Sequence, residues 1–167
     1  MAAELSGGTA VCPGSYDPVT FGHLDIIARA SIVFDEVVVG VVNQPVRKKQ
    51  TVFSAEERVS FIETAVAEHG NVQVKTFDTL LVDFARANGA RAIIKGLRAI
   101  SDFEYEFEMN QLNRKMAPDI ESVYLMSDSQ FSFLSSSGVK ELAMFGGDIN
   151  GLVPDPVAAR LQEELAR

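Results

Sequence analysis

The segment EVVVGVVN, residues 36–43, contains five valines and a single charged side chain. β-branched residues favour strands, and an apolar run without alternating polar positions is typical of a strand buried on both faces of a parallel sheet. Parallel strands need long crossover connections, which are usually helices. The segment therefore predicts the interior of an α/β sheet that is covered by helices on both faces.

The rest of the chain repeats strand and helix patterns around this segment. Apolar runs occupy residues 9–13, 72–77, 91–97 and 121–126, and residues 22–34 and 79–89 show helical spacing. Ser54 and Glu57 form a capping box for a helix that Gly70 can end. Short helices are predicted from about residue 137 to 145 and from near Pro154. We predict one Rossmann-like, doubly wound α/β domain over residues 1–167, with a five-stranded parallel sheet and a flexible tail at residues 1–8.

The segment DFEYEFEM, residues 102–109, supports two interpretations. Its acidic and apolar residues alternate, which favours a strand. However, apolar side chains at positions 105, 109, 112 and 116 follow helical spacing, and Ser101 with Glu104 makes a second capping box. We therefore predict a helix here.

Composition excludes several classes of function. No apolar run among the 167 residues is long enough to cross a membrane, and a net charge of −8 disfavours binding to a nucleic-acid backbone. The single cysteine, Cys12, excludes an internal disulfide and an all-cysteine zinc site, and we expect it to be buried in the first strand. The two histidines, His23 and His69, have no paired spacing. We expect a cytoplasmic protein without a resident histidine-based metal site.

The predicted topology places a phosphate site at one edge of the sheet. Ligands of doubly wound sheets bind beyond the carboxyl ends of the strands, and the loops at that edge carry many cations and hydroxyls. Neither a G-x-x-x-x-G-K-[ST] loop nor a G-x-G-x-x-G motif is present. The cations and hydroxyls expected to converge are Ser15, His23, Arg47, Lys48, Lys49, Lys95, Arg98, Ser135, Ser136, Ser137 and Lys140.

The stretch CPGSYDPVTFGH, residues 12–23, replaces the usual phosphate loops. Its prolines and glycines bend the chain between the first strand and the first helix. Gly22 lets the backbone approach a ligand closely, and His23 follows at the positive end of the helix. We expect this turn to face a bound phosphate.

Four segments resemble, in order and spacing, the motifs of the bacterial phosphopantetheine adenylyltransferase family. They are PGSYDPVTFGH, FSAEER, KGLRAISDFEYE and FSFLSSSGVKE, and the resemblance runs from about residue 9 to the end of the chain. The T-x-G-H motif marks only the wider nucleotidyltransferase superfamily, where H-x-G-H is common, whereas KGLR followed by DFEYE is more specific.

The resemblance implies a reaction and its partners. The adenylyl group of ATP would pass to 4′-phosphopantetheine, giving dephospho-coenzyme A and pyrophosphate, with Mg²⁺ accompanying ATP. The family further implies a cytoplasmic homohexamer that is inhibited by coenzyme A. The metal ligands are left undetermined.

The resemblance also implies roles for individual residues. His23 would stabilise the transition state at the α-phosphate, and Ser15 with Tyr16 would hold phosphates of both substrates. Lys95 would bind the phosphate of phosphopantetheine, and Leu81 would line the pantetheine channel. ATP would in addition contact Gly96, Leu97, Arg98, Glu106, Phe131, Ser132, Phe133, Leu134, Ser135, Ser136 and Ser137.

The resemblance further implies that one cation of the loop after the second strand binds phosphopantetheine, and the sequence offers more than one candidate for it. Counting back from Phe53 selects Lys49, and counting on from Pro45 selects Arg47, because this loop is about two residues longer than the family pattern. FSAEER is the firmer anchor, so Lys49 is favoured, with Lys48 next. A solvated loop is the alternative interpretation of these three cations.

Two other functions compete with this prediction. Adenylyl or cytidylyl transfer to another small phosphate, such as nicotinamide mononucleotide or glycerol phosphate, is disfavoured by the pairing of KGLR with DFEYE. A non-catalytic nucleotide sensor on the same fold is disfavoured because His23 and Arg98 are both present.

Overall fold

The computed structural model describes residues 7–45 and 50–165. Five strands, all paired in parallel, form one sheet in the order β3-β2-β1-β4-β5. In chain order the elements are β1 (Thr9–Gly14), α1 (Phe21–Val33), β2 (Glu36–Val42), α2 (Ala55–Ala65), β3 (Val72–Phe77), α3 (Leu81–Ala87), β4 (Ala90–Leu97), α4 (Ile100–Met116), β5 (Glu121–Met126), a 3₁₀ turn (Ser129–Phe131), α5 (Ser136–Met144) and α6 (Asp155–Leu165).

The strand order confirms the predicted doubly wound fold. The chain moves outward from β1 to β3 and then returns to place β4 on the other side of β1. The connections that leave β1 and β4 therefore diverge, which opens a crevice at their carboxyl ends.

Side chains that alternate along the strands pack into two separate hydrophobic cores. Val37, Val39 and Val41 of β2 pack into the larger core, which is shared with α1, α2, α5 and α6. Val38 packs on the opposite face, in a smaller core with α3 and the residues after α4. Because β2 is apolar at both kinds of position, it is buried on both faces, as EVVVGVVN predicts.

Glycine at position 96 brings α1 close to the sheet beside the crevice. A Cβ atom there would lie 2.9 Å from Cγ1 of Ile26, a clash with the core-facing side of α1. The absence of a side chain thus sets the distance between α1 and the end of β4.

Several boundaries differ from the sequence predictions. The helix over residues 102–109 is confirmed, but it begins at Ile100 with Ala99 as N-cap, so Ser101 lies within the helix and is not its cap. Helix α2 ends at Ala65, ahead of Gly70. The predicted capping box of Ser54 and Glu57 is confirmed at the start of α2, so only the end of α2 and the start of α4 lie a few residues from the sequence signal.

The predicted tail is only partly described. Residues 1–6 lie outside the described ranges, whereas Gly8 is bound to the residues that lead into β2. Its N–H donates to Asp35 Oδ2 at 2.9 Å, and its carbonyl accepts from the N–H groups of Asp35 and Glu36. Within the described parts of the chain, no helix is both long and apolar enough to span a bilayer.

Candidate active site

A cleft of about 600 Å³ lies at the carboxyl ends of β1 and β4. Its walls come from the β1–α1 turn, the end of β4, the start of α4 and the start of α5. Most of the predicted site residues line it together: Ser15, Tyr16, His23, Lys95, Gly96, Arg98, Glu106, Leu134, Ser135, Ser136 and Ser137.

Tyr16 shapes the turn between β1 and α1. Its backbone adopts φ = 49°, in the left-handed region that non-glycine residues rarely occupy. The side chain is buried, and its hydroxyl donates to the carbonyl of Cys12 at 2.9 Å. A Cβ on Gly14 would lie 3.0 Å from the Tyr16 ring, so glycine makes room for this conformation. Burial raises the pKa of Tyr16 well above its ordinary value, which keeps the hydroxyl protonated as a donor.

His23 belongs to the capping box of α1. Thr20 is the N-cap, and its backbone N–H donates to His23 Nδ1 at 3.1 Å, while the N–H of His23 donates to the Thr20 hydroxyl. Because a backbone N–H can only donate, Nδ1 must accept, and the proton of the neutral ring resides on Nε2. The Tyr16 ring meets the imidazole edge-on, with centroids 5.1 Å apart. His23 lines the cleft, and Nε2–H is the donor that its ring can offer there.

Lys95 and Glu106 form an ion pair inside the cleft. Lys95 Nζ lies 2.8 Å from Glu106 Oε2, and both side chains are largely buried. The contact lacks hydrogen-bond geometry, and within the described residues Oε2 has no hydrogen-bond donor. The Tyr124 hydroxyl donates to the Glu106 carbonyl, and its pKa is raised by burial and by the Glu106 charge. An ammonium and an incompletely bonded carboxylate are thus held together inside the cleft.

Arg98 links the end of β4 to the serine-rich turn. Its guanidinium donates to both Asp102 oxygens, at 3.1 and 3.2 Å, and to the carbonyl of Leu134 at 2.8 Å. The backbone N–H of Arg98 also donates to Asp102. This set of bonds orients the guanidinium on the cleft wall.

The start of α5 forms another part of the cleft wall. Ser135 is the N-cap, and its hydroxyl accepts from the Gly138 N–H at 3.0 Å. The Ser136 hydroxyl donates to the Pro18 carbonyl at 2.8 Å, which joins α5 to the β1–α1 turn. A helix N-terminus that opens onto a cleft favours bound phosphate.

Comparison with known proteins assigns the family. The cytidylyltransferase-like family matches residues 11–142. The phosphopantetheine adenylyltransferase of Rubrobacter xylanophilus is 54% identical over 158 residues, which cover 95% of each chain. That of Clostridium tetani is 55% identical over 148 residues, which cover 89% of this chain and 91% of the relative.

The chain belongs to the phosphopantetheine adenylyltransferase family. It is accordingly a nucleotidyltransferase, as the motifs predicted. A solved structure described as a putative nicotinate-nucleotide adenylyltransferase from Vibrio parahaemolyticus matches with a TM-score of 0.70 and 14% identity, covering 96% of both chains. At that identity the match shows the shared fold alone.

Some residues assigned by resemblance to this family lie outside the cleft lining. The Leu97 side chain is buried in the sheet, and Leu81, the first residue of α3, packs against the smaller core. Phe131 packs against the larger core, the Ser132 hydroxyl donates to the Ser129 carbonyl, and Phe133 is exposed. Their ligand contacts stay predictions. Arg47, Lys48 and Lys49 lie outside the described residues, so the choice among them is unchanged.

Two buried charges beneath the cleft are absent from the sequence predictions. Asp17 is fully buried and accepts from Val52 N–H, Phe53 N–H and Lys140 Nζ. Lys140 was predicted to face phosphate, but it forms a 3.0 Å ion pair with Asp17 instead. Arg58 is the second buried charge. Its position three residues after Ala55 and four before Ile62, both buried, places it on the inner face of α2, and this spacing could have revealed it.

Carboxylates in the cleft do not form a metal cage. Among the described residues, no group of three or more His, Cys, Asp or Glu side chains could hold an ion. Mg²⁺ commonly keeps several waters and uses substrate phosphates with one or two carboxylates. The donor set therefore fits a cation that arrives on the nucleotide.

Proposed function

We propose that this chain transfers the adenylyl group of ATP to 4′-phosphopantetheine, forming dephospho-coenzyme A and releasing pyrophosphate. Family membership over nearly the whole chain supports the reaction. The observation that carries the chemistry is the convergence of a fixed His23 donor, Lys95 and Arg98 in one cleft at the switch point.

The reaction needs no covalent enzyme intermediate. A phosphate oxygen of phosphopantetheine attacks the α-phosphorus of ATP, and the bond from that phosphorus to the pyrophosphate oxygen breaks in line. Positioning and charge stabilisation then supply most of the catalysis.

Each cleft wall has a task in this transfer. His23 donates from Nε2 to an α-phosphate oxygen as negative charge grows there. Arg98 and the start of α5 bind the leaving β- and γ-phosphates, and Ser15 holds phosphate at the β1–α1 turn. These roles follow the geometry of the cleft and the family motifs together.

Lys95 binds the attacking phosphate. Its ammonium has three N–H groups, so it can remain beside Glu106 while it donates to a phosphate oxygen. Glu106 thereby orients the ammonium and partly neutralises it before substrate enters. The resemblance also assigns Glu106 to the binding of the nucleotide.

The substrate form of the nucleotide is proposed to be its Mg²⁺ complex. The cation would neutralise the charge of the leaving pyrophosphate, and Arg98 would bind the same group from the protein side. Homohexameric assembly, inhibition by coenzyme A and a cytoplasmic location remain parts of the proposal that rest on the resemblance.

Measurement of pyrophosphate release tests the reaction. ATP is supplied with 4′-phosphopantetheine or with nicotinamide mononucleotide, and His23→Ala provides the background rate of a cleft without its donor. We expect fast release with phosphopantetheine only. Comparable or faster turnover of the mononucleotide would contradict the acceptor, and no release with any acceptor would favour a nucleotide sensor.

A further inference from the structure

Arg58 lies beneath the cleft and connects three separate segments of the chain. Its side chain is 1% exposed. Nε donates to the carbonyls of Phe53 and Ser54 at the start of α2, and Nη2 donates to Asn43 after β2 at 2.9 Å. Nη1 donates to Val42 at 2.8 Å and to Ser15 at 2.7 Å.

Among the described residues, the Arg58 guanidinium contacts backbone oxygens and no carboxylate. All five of its bonds end on carbonyls, and none of the ion pairs among the described residues includes it. The nearby Asp17 carboxylate is itself paired with Lys140. Burial lowers the Arg58 pKa, and the charges of Asp17 and Glu56 oppose that effect, but a guanidinium stays protonated in proteins. A positive charge is therefore buried directly behind the turn that faces phosphate.

Ser15 is the cleft residue that Arg58 contacts. Ser15 lines the cleft, while its carbonyl is held from below by Nη1. The following residue, Tyr16, has the left-handed backbone that turns the chain toward α1. A bond to the Ser15 carbonyl fixes the peptide plane between these two residues, and so fixes how the turn presents its polar groups to the cleft.

We propose that Arg58 is a positioning residue for adenylyl transfer, acting through Ser15. It holds the β1–α1 turn against β2 and α2 and places a positive charge behind the phosphates. The inference rests on the proposed function for its reaction but assigns a new role to a residue outside the cleft lining. Only a planar group with five N–H donors can reach all these carbonyls, so lysine cannot replace it.

The experiment compares Arg58→Lys with Arg160→Met. Lysine keeps the positive charge but lacks the planar set of N–H donors of the guanidinium. Arg160 is the matched control, because it bonds to Glu57 on the same helix and lies over the Phe53 ring but is absent from the cleft lining. Pyrophosphate release is measured well below each melting temperature, after circular dichroism has shown folding. A double variant with Ser15→Ala tests the route through Ser15.

We expect Arg58→Lys to fold and to lose about 10- to 100-fold in kcat, because a misplacement of about 1 Å can cost about 10²-fold. The kcat of Arg160→Met should stay within about threefold of the parent value. Arg160 does not line the cleft, and substitutions at sites that share no partners act independently. The losses from Arg58→Lys and Ser15→Ala should be less than multiplicative in the double variant.

Three results would overturn the proposal: a folded Arg58→Lys with kcat near the parent value, an unfolded Arg58→Lys, or independent losses in the double variant. An unfolded variant would assign Arg58 to stability alone. Pyrophosphate release by the unsubstituted protein separates the proposed reaction from the proposed role of Arg58. If that protein uses a different acceptor, the substrate assignment is wrong, but the role of Arg58 can still be tested with that acceptor.

Discussion

The two ring nitrogens of His23 have different roles. Nδ1 takes part in the cap of α1, and Nε2–H is the proposed donor to phosphate. Glu or Gln usually occupies the third helical position of a capping box. Here the imidazole takes that position, and the bond from Thr20 N–H to Nδ1 fixes both the ring orientation and the tautomer. The sequence predicts His23 at a helix start, but its part in the cap depends on a rotamer that only the structure reveals.

Loss of the His23 donor should therefore separate rate from binding. We expect His23→Ala to keep its affinity for ATP within about a few-fold, because the other cleft groups remain. Its kcat should fall by about 10²–10³, since loss of one donor to a developing charge costs about 2.7–4 kcal/mol. Calorimetry gives the affinity, and pyrophosphate release gives the rate.

His23→Gln is the matched control for the cap. Glutamine can accept the Thr20 N–H, so this variant should melt closer to the parent than His23→Ala does. Its rate should remain low, because the amide does not reproduce the imidazole Nε2–H. Turnover of His23→Ala within about tenfold of the parent would mean that His23 is not the transition-state donor.

Lys95 should be selective for one substrate. We expect Lys95→Ala to raise the KM for phosphopantetheine more than the KM for ATP. A charge-assisted hydrogen bond contributes about 1.5–3 kcal/mol, so kcat/KM for the acceptor should fall by about 10- to 100-fold. Lys75→Ala, whose ammonium bonds to Asn88 on the exposed surface, should match the parent. An equal effect on both substrates would assign Lys95 to the nucleotide.

At the scale of elements, Asp17 ties the turn after β1 to two helices. Its buried carboxylate accepts the N–H groups of Val52 and Phe53 just ahead of α2, and it pairs with Lys140 of α5. The elements that form the cleft are thereby held together through groups that do not line it.

Removal of this carboxylate should destabilise the whole fold. Asp17→Ala leaves Lys140 without its buried counter-ion and two N–H groups without their acceptor, so we expect a loss of about 3–5 kcal/mol in the free energy of unfolding. Denaturant titration measures it. Asp119→Ala, which breaks the exposed pair with Arg86, should leave the midpoint nearly unchanged. Similar midpoints for the two variants would contradict this role of Asp17.

The start of α4 shows where local sequence signals lose to tertiary contacts. Ser101 and Glu104 match a capping box, yet the helix begins at Ile100. Asp102 accepts the Arg98 N–H and pairs with the Arg98 guanidinium, which also reaches Leu134. A bond to a residue far along the chain cannot be deduced from spacing alone, whereas the helix itself, set by periodicity, can.

At the scale of the molecule, the pattern of apolar residues predicted the features that do not depend on specific contacts between distant polar groups. The strands, their parallel arrangement and the buried Cys12 follow from apolar runs and their spacing. The edge of the sheet that holds the site follows from strand topology. The inward position of Arg58 follows from the spacing of α2, but its partners do not, because the carbonyls that bind its charge come from distant loops.

The same patterning leaves apolar side chains that the single chain does not cover. On α4, Phe103 and Phe107 are about half exposed and their rings lie 5.8 Å apart, and Phe145 after α5 is 81% exposed. Exposed apolar side chains of this size, such as the Phe103 and Phe107 pair on one face of α4, are typical of protein–protein contacts.

We expect the protein to assemble as the proposed homohexamer, with a mass near six times 18.2 kDa. Burial of phenylalanine side chains between copies supplies the driving force, because each fully buried side chain of this kind contributes about 1.5–3 kcal/mol. Sedimentation velocity measures the mass across micromolar concentrations.

Phe107→Glu places a charge on the exposed face of α4 and should shift the distribution to smaller species, while Glu104→Gln on the same helix should leave it unchanged. A parent that sediments only as a monomer would refute the hexamer, and an unchanged mass for Phe107→Glu would place the contact on another face.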